Sequence, residues 1–314
     1  MPIGTNSQPL VSVIMNCFNG EQYLQEAIDS VLTQTYRNWE LIIWDNGSTD
    51  HTAEISKSYD DKRIHYFLAD KYTPLGEARN LAIQKSIGEI IGFLDCDDVY
   101  LQQKMEKQVP LFYNPKVGIV ICDTLFFNQK GTNTQLYEKK KPPIGMVFRE
   151  LLSEYFVSLE TVMIRRQALE DLDYWFNPRF EVIEEYDLFV RIGYSWELAY
   201  VDEVLAKWRV HESSWTWTKS ELFPLEQKLM LEILSKWIPN FSDIYPNEIN
   251  KVKRLIAFEE AQNFWQNGYE RKARKIIKPF IRGHIKYQLF YFLTFFPFGI
   301  YKFLQTLRGA IHPN

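Results

Sequence analysis

Residues 10–50, LVSVIMNCFNGEQYLQEAIDSVLTQTYRNWELIIWDNGSTD, alternate between strand-like and helix-like hydrophobic patterns. Residues 10–18 and 39–45 are short apolar runs rich in β-branched and aromatic side chains, which is typical of buried strands. Between them, apolar residues such as Tyr23, Ala27 and Val31 recur with helical spacing. Strands that are apolar throughout and alternate with helices predict a parallel sheet covered by helices on both faces.

The same alternation continues along the chain. Strands predicted at 63–69 and 89–95 flank a helix at about 76–86. The pattern then predicts a helix at 101–113, strands at 117–127, 161–166 and 198–211, a polar, Lys-rich loop at 128–144, a helix near 145–153 and helices from about 222 onward. We therefore predict an α/β fold with a mostly parallel, Rossmann-like sheet in residues 1–220 and a C-terminal helical extension in residues 221–314.

The composition is that of a globular protein. Of 314 residues, 46% are hydrophobic and 24% are charged, so disorder is not expected. The three cysteines, Cys17, Cys96 and Cys122, show neither disulfide-framework nor zinc-site spacing, which indicates a reducing compartment. The N-terminus lacks the pattern of a signal peptide, so we expect a cytoplasmic protein.

The net charge of −4 is unevenly distributed. Residues 251–314 hold 12 Lys and Arg against 3 acidic residues, so residues 1–250 carry −13. An acidic body argues against a nucleic-acid partner, and the basic tail predicts an anionic one. The uncharged aromatic run from Tyr287 to Tyr301 is shorter than the roughly 20 residues of a membrane span, so we expect it to lie on an anionic membrane surface. A helical hairpin packed on the body or a dimer contact are the alternatives.

Three polar clusters follow predicted strands, at residues 16–19, 45–50 and 95–98. Ligands of parallel α/β sheets bind at the carboxyl ends of strands, so these clusters are expected to line one crevice. The last cluster holds three carboxylates, Asp95, Asp97 and Asp98. Because like charges this close repel, the cluster is either a solvated turn or a site for a divalent cation.

The motifs in these segments resemble those of the family 2 nucleotide-sugar glycosyltransferases, which have the GT-A fold. The matching stretches are VSVIMNCFNGEQYLQEAIDSVLTQTYRNWELIIWDNGSTDHT, GEARNLAIQKSIGEIIGFLDCDDVY, EEYDLFVRI and KWRVH, which occur in the family's order over roughly residues 10–212. The resemblance implies a GT-A catalytic domain in residues 1–220, with a nucleotide-sugar half (1–100) and an acceptor half (101–220).

In the family, the turn matching WDNGSTD binds the nucleotide base, and the Asp-x-Asp matching Asp95 and Asp97 holds the ribose and a metal. The resemblance implies donor-binding roles for Asn16, Phe18, Asn19, Asp45, Gly47, Arg79 and Asp95. Asn46 replaces an Asp that is usual in the family, which makes the choice of base less certain. Arg79, near a helix start, is expected to contact the diphosphate.

The resemblance also implies Mn²⁺ or Mg²⁺ as cofactor, which carboxylate oxygens suit. The metal ligands it implies are Asp97, Asp95, Asp98 and His211. A Glu-Asp pair supplies the family's catalytic base, and Glu184 and Glu185 match it, with Glu in the second place. We predict Glu185 as the base, with Glu184 and Asp187 as substitutes, and Trp215 and Trp217 as acceptor contacts.

These implications predict an inverting, metal-assisted glycosyltransferase that uses a nucleotide-diphosphate sugar, UDP-sugar being favoured. The acceptor is expected to be a glycan or a lipid-linked molecule, in surface polysaccharide synthesis at the inner face of the plasma membrane. A sugar-phosphate nucleotidyltransferase is disfavoured because no Gly-rich phosphate loop follows the first strand. A catalytically inactive nucleotide-sugar-binding or scaffold protein is the other alternative, indicated by Asn46 and Glu185.

Overall fold

The computed structural model describes residues 3, 8–128, 131, 133–211 and 219–301. The chain divides into two compact units. The first comprises Met1–Leu151 and Tyr155–Val210, and the second comprises Leu152–Glu154 and His211–Asn314.

The secondary structure alternates as the sequence predicts. The strands are β1 (Val11–Cys17), β2 (Trp39–Asp45), β3 (Ile64–Leu68), β4 (Ile90–Phe93), β5 (Val99–Tyr100), β6 (Val117–Phe127), β7 (Asn133–Gln135), β8 (Met163–Arg165) and β9 (Glu197–Arg209). The helices of the first unit are α1 (Leu24–Leu32), α2 (Thr52–Lys57), α3 (Leu75–Gln84), α4 (Lys104–Gln108), α5 (Phe148–Ser153), whose last residues belong to the second unit, α6 (Arg166–Glu170) and α7 (Glu184–Gly193). Those of the second unit are α8 (Phe223–Trp237), α9 (Phe241–Ile244), α10 (Pro246–Gln266), α11 (Glu270–Ile277) and α12 (Ile285–Leu293).

The sheet of the described residues has the strand order β3-β2-β1-β4-β8-β6-β9-β5, and β7 pairs with β6. Strands β3, β2, β1 and β4 are parallel, as predicted, and their register sets Cys17 opposite Asp45 and Ile14 opposite Phe93. Right-handed crossovers place α1 and α2 on one face and α3 on the other, since the strand order reverses after β3. The reversal opens a crevice at the carboxyl ends of β1 and β4, where ligands of such sheets bind.

The second half of the sheet is mixed. Strand β8 runs antiparallel to β4 and β6, while β9 runs parallel to β6 and antiparallel to β5. An apolar run indicates a buried strand but not its direction, so the sequence could not predict this arrangement. Strands β5 and β7 were not predicted because two or three residues show no periodicity.

The predicted helix at 101–113 is shorter than expected. Helix α4 covers only Lys104–Gln108 and continues as a 3₁₀ turn over Val109–Tyr113. Pro110 explains the change, because its ring lacks an N–H donor and clashes with the carbonyl four residues earlier.

The second unit is helical, which confirms the predicted C-terminal helical extension. Its core forms around Trp265, with Ala261, Ala273, Ile277 and Phe290 buried beside it. Among the described residues, no helix has both the length and the apolar character that crossing a membrane requires.

Candidate active site

The turns after β1 and β2 are joined by hydrogen bonds. The Asn19 N–H donates to Ser48 Oγ at 2.9 Å, and the Thr49 N–H donates to Asn19 Oδ1 at 2.9 Å. Asn19 adopts a left-handed backbone with φ 53°, which Asn tolerates better than most residues. Two of the three predicted polar clusters therefore form one rigid rim of the crevice.

Asp45 stabilises the turn after β2 through hydrogen bonds of its buried carboxylate. Its side chain is fully buried, and its carboxylate accepts hydrogen bonds from the Ser48 N–H at 2.8 Å and from the Tyr66 hydroxyl at 2.7 Å. Gly47 follows with φ 88°, where a side chain would strain the backbone. The contact of Asp45 with a base stays a prediction, and the interactions shown are those of a turn.

The substitution at Asn46 has a structural reason. Its amide Nδ2 donates to the Thr73 carbonyl at 2.7 Å, while its Oδ1 accepts from the Thr73 N–H at 3.2 Å and from the Thr73 hydroxyl at 3.1 Å. An ionised Asp has no donor for the carbonyl and would leave it facing a negative charge. Asn46 therefore ties the end of β2 to the loop before α3.

Two aromatic rings stand at the opening of the crevice. Phe18 and Tyr72 are both about half exposed, and their rings meet edge to face with centroids 5.1 Å apart. Asn16, at the end of β1, is buried and its Nδ2 has no hydrogen-bond partner, so a donor is available there. Tyr72 is not among the site residues predicted from the sequence, because its only local signal is an aromatic side chain in a polar loop.

Arg79 connects the donor side of the crevice to the predicted base. It is almost completely buried and forms ion pairs with Glu184, with Asp95 at 3.1 Å and with Glu185 at 3.6 Å. These carboxylates come from the turn after β4 and from the start of α7. The predicted contact of Arg79 with a diphosphate stays a prediction, and the structure gives its guanidinium three carboxylate partners.

Replacement of Arg79 is expected to destabilise the first unit. Arg79→Met leaves the buried Glu184 carboxylate without its counter-charge, which costs about 3 kcal/mol of unfolding free energy in comparable buried pairs. Urea denaturation followed by fluorescence measures the loss, with the exposed Arg37→Met as the control. An unfolding free energy equal to that of the control would contradict the role of Arg79.

Of the three predicted catalytic carboxylates, Glu185 is the one that is partly exposed. Its side chain is 25% exposed, and burial together with the charge of Glu184 raises its pKa to about 8, against the opposing effect of Arg79. The Tyr155 hydroxyl lies 3.4 Å from its Oε1. A carboxylate with a pKa near neutrality suits a general base.

The other two carboxylates have structural partners. Glu184 is buried against Arg79. Asp187 is fully buried, burial raises its pKa, and its Oδ2 accepts from Arg191 Nε at 2.9 Å and from Nη2 at 2.7 Å. Both residues fix the start of α7, on which Glu185 stands.

The acidic cluster divides into an outer pair and an inner residue. Asp95 and Asp97 are partly exposed, whereas Asp98 is buried and accepts a hydrogen bond from the Arg209 N–H at 2.9 Å. Burial and the charge of Asp97 raise the pKa of Asp98 well above its usual range. Asp98 therefore holds the turn to β9, and its role as a metal ligand stays a prediction.

Asp95 and Asp97 have the donor chemistry for a hard divalent cation. Their oxygens suit Mn²⁺ or Mg²⁺, which keep coordination positions for phosphate oxygens and water. Within the described ranges, no group of three or more His, Cys, Asp or Glu side chains is arranged to hold a metal. His211 belongs to the second unit and its ligand role stays a prediction, while Trp215 and Trp217 lie outside the described residues.

Arg209 supports the acidic turn from β9. Its Nε donates to the Asp97 carbonyl at 2.8 Å, its Nη2 donates to Glu26 at 2.5 Å, and its guanidinium lies over the Tyr23 and Phe127 rings. The motif KWRVH contains this residue, but its role depends on a contact between strands distant in sequence. Arg209 and Asp98 together fix the position of Asp97.

The reversed order of the parallel strands, with an acidic turn after β4 and a partly exposed carboxylate on α7 linked to it through Arg79, is typical of an α/β fold that binds a ligand at the carboxyl ends of its strands. The chain belongs to glycosyl transferase family 2, whose profile matches residues 12–173. It is 32% identical over 218 residues to an uncharacterized glycosyltransferase of Rickettsia typhi, covering 66% of each chain, so it spans just under two thirds of that relative's length.

A second relative has a more specific name. The chain is 27% identical over 233 residues to the Escherichia coli UDP-Glc:alpha-D-GlcNAc-diphosphoundecaprenol beta-1,3-glucosyltransferase WfgD, covering 74% of this chain and 87% of WfgD. Both relatives carry glycosyltransferase names, which agrees with the family to which this chain belongs.

Solved structures share the fold. The Staphylococcus aureus TarS 1-349 structure in complex with UDP-GlcNAc superposes with a TM-score of 0.62 at 19% identity, over 85% of this chain and 80% of that one. The Pyrobaculum calidifontis mannosyltransferase PcManGT, in complex with GDP-Man and Mn²⁺, gives 0.61 at 15% identity, over 98% and 90% of the chains. These likenesses confirm the GT-A fold predicted from the sequence.

Proposed function

We propose that the protein transfers a sugar from a UDP-sugar to a glycan or lipid-linked acceptor with inversion at the anomeric carbon. The observation that carries the proposal is the network in which Arg79 joins Asp95 of the acidic turn to Glu184 and Glu185 of α7. This network brings Asp95, a proposed metal ligand, and Glu185, the proposed general base, to one crevice. The UDP preference is supported by the donor in the name of the E. coli relative.

In the proposed reaction, Glu185 accepts the proton of the acceptor hydroxyl as its oxygen attacks the anomeric carbon. The bond to the nucleoside diphosphate breaks on the opposite face, and the electron pair leaves with the diphosphate oxygen. Asp95 and Asp97 would hold the divalent cation, which when bound acts as a Lewis acid on the diphosphate. Arg79 and Glu184 hold the base in position.

The base of the donor is proposed to lie against Phe18. Phe18→Ala should raise the KM for the donor about tenfold, since stacking of a base on an aromatic ring contributes ~1–3 kcal/mol. Steady-state kinetics with a varied donor concentration measure the change, and the exposed Ile87→Ala is the control. An unchanged KM in Phe18→Ala would remove Phe18 from the donor site.

The proposed setting is surface polysaccharide synthesis at the inner face of the plasma membrane. The E. coli relative's name specifies a diphosphoundecaprenol-linked acceptor, and such lipids lie in the membrane. The basic C-terminal region of this chain, with its 12 Lys and Arg, suits an anionic surface.

A donor panel tests the proposal. UDP-glucose, UDP-N-acetylglucosamine, UDP-galactose and GDP-mannose are incubated with the protein and Mn²⁺ or Mg²⁺, and nucleoside diphosphate release is followed. Metal-dependent release from a UDP-sugar is expected. In a parallel incubation with a nucleoside triphosphate and a sugar phosphate, consumption of the triphosphate would favour a nucleotidyltransferase. Donor binding without turnover in either incubation would indicate an inactive binding protein.

A further inference from the structure

Helix α12 of the second unit presents large apolar side chains to solvent. Ile285, Leu289 and Phe292 are 74%, 61% and 61% exposed. Their spacing of four and three residues puts them on one side of the helix. The turn that follows adds Phe295 and Phe296, both also exposed. We call these five residues the apolar face.

The opposite side of α12 is anchored in the core. Phe290 is buried, with its ring 4.8 Å from that of Phe258 and 5.6 Å from that of Trp265. The Trp265 indole also donates a hydrogen bond to the Phe296 carbonyl at 2.8 Å. The helix is therefore packed on the core through Phe290, and its apolar face is directed to solvent.

Exposed basic side chains accompany the apolar face. Lys275, Lys278 and Arg282 precede it, and Lys286 lies within α12 itself. No Asp or Glu occurs from residue 271 to residue 301. The surface thus combines large apolar side chains with a net positive charge, to which Lys275, Lys278 and Arg282 contribute, while Lys286 also lies near Glu259.

The apolar side chains and the positive charge together favour a lipid bilayer over a second copy of the chain as the partner of the apolar face. A second copy of the chain would bring like charges together, which opposes association at this face. A bilayer that contains anionic lipids offers a hydrophobic layer for the rings and negative head groups for the lysines and arginine. Aromatic and aliphatic side chains on one helix side, bordered by cations, are the pattern of a helix lying in the membrane interface.

We propose that α12 docks the protein on an anionic lipid bilayer, with Ile285, Leu289, Phe292, Phe295 and Phe296 entering the interface. The inference deepens the proposed function by assigning its membrane partner to a defined surface. The proposed function supplies the reason for the protein to dock on a membrane. Lipid binding itself can be measured without any sugar transfer.

Vesicle sedimentation of the full-length protein tests the proposal. Vesicles of phosphatidylcholine mixed with phosphatidylglycerol are compared with phosphatidylcholine alone. The wild type should sediment with the mixed vesicles and be released by salt. The double variant Leu289→Asp/Phe292→Asp should bind at least about tenfold more weakly, because two charges would enter the apolar layer. The matched control Leu225→Asp/Ile244→Asp, at exposed positions on α8 and α9, should bind like the wild type.

A second variant measures the electrostatic contribution to vesicle binding. Lys278→Gln/Arg282→Gln should weaken binding to the mixed vesicles and reduce their advantage over neutral ones. Three results would overturn the proposal: no binding by the wild type, equal binding by Leu289→Asp/Phe292→Asp, or a dimer that this variant converts to a monomer. Donor hydrolysis in solution should be the same in all these variants, so loss of docking and failure of the transferase assignment give different results.

Discussion

Glu185→Gln is expected to reduce kcat about a thousandfold, the contribution typical of a positioned general base. The amide keeps the size of the side chain but cannot accept the proton of the acceptor hydroxyl. Steady-state transfer assays measure the loss, and donor affinity should change little because the base acts on the acceptor. The control is Glu170→Gln, an exposed residue on α6.

The same residue sets the pH dependence. Burial raises the pKa of Glu185 from 4.5 to about 8, so the carboxyl is mostly protonated at neutral pH and cannot act as a base in that form. The rate of transfer should therefore rise with pH and level off above about 8. A flat profile over this range, or an active Glu185→Gln protein, would exclude Glu185 as the base.

Asp97→Ala is expected to lower activity at least a hundredfold while the protein stays folded, because the metal's stabilisation of the leaving diphosphate is worth several kcal/mol. Asp97 is partly exposed, and its turn is held by Arg209 and Asp98, so removing its carboxylate should not unfold the sheet. Circular dichroism checks the fold, and Asp60→Ala, an exposed residue, is the control.

Chelation provides the matching test on the unaltered protein. EDTA should abolish turnover of the wild type, and added Mn²⁺ or Mg²⁺ should restore it. Full activity of Asp97→Ala under saturating metal would remove Asp97 from the metal site.

The positions of the strands could be predicted from the sequence because burial leaves a local signal. The apolar runs of β2 and β6 end where the predictions do, at Asp45 and Phe127. The convergence of three polar turns could also be predicted, since the carboxyl ends of parallel strands share one edge. The direction of the strands in the second half of the sheet could not be predicted, because an antiparallel β8 has the same composition as a parallel one.

The roles of individual charges were harder to predict. Arg79 gains its three partners from segments that meet only in the folded chain, and Asp98 turns inward because β9 offers it a backbone N–H. Asn46 departs from the family's usual residue because its amide pairs with Thr73. None of these contacts has a local pattern; the family resemblance identified the segments that contain Arg79, Asp98 and Asn46, but not the one that contains Thr73.

The stereochemistry of the product shows whether the sugar is transferred with inversion or with retention at the anomeric carbon. The protein is incubated with the UDP-α-sugar that it turns over and a short-chain lipid carrying diphosphate-linked N-acetylglucosamine, and the anomeric proton of the transferred sugar is observed by NMR. Transfer with inversion by Glu185 predicts a new β-linkage that is absent when Glu185→Gln replaces the wild type. A new α-linkage, or a β-linkage formed equally fast by the variant, would contradict the proposed mechanism.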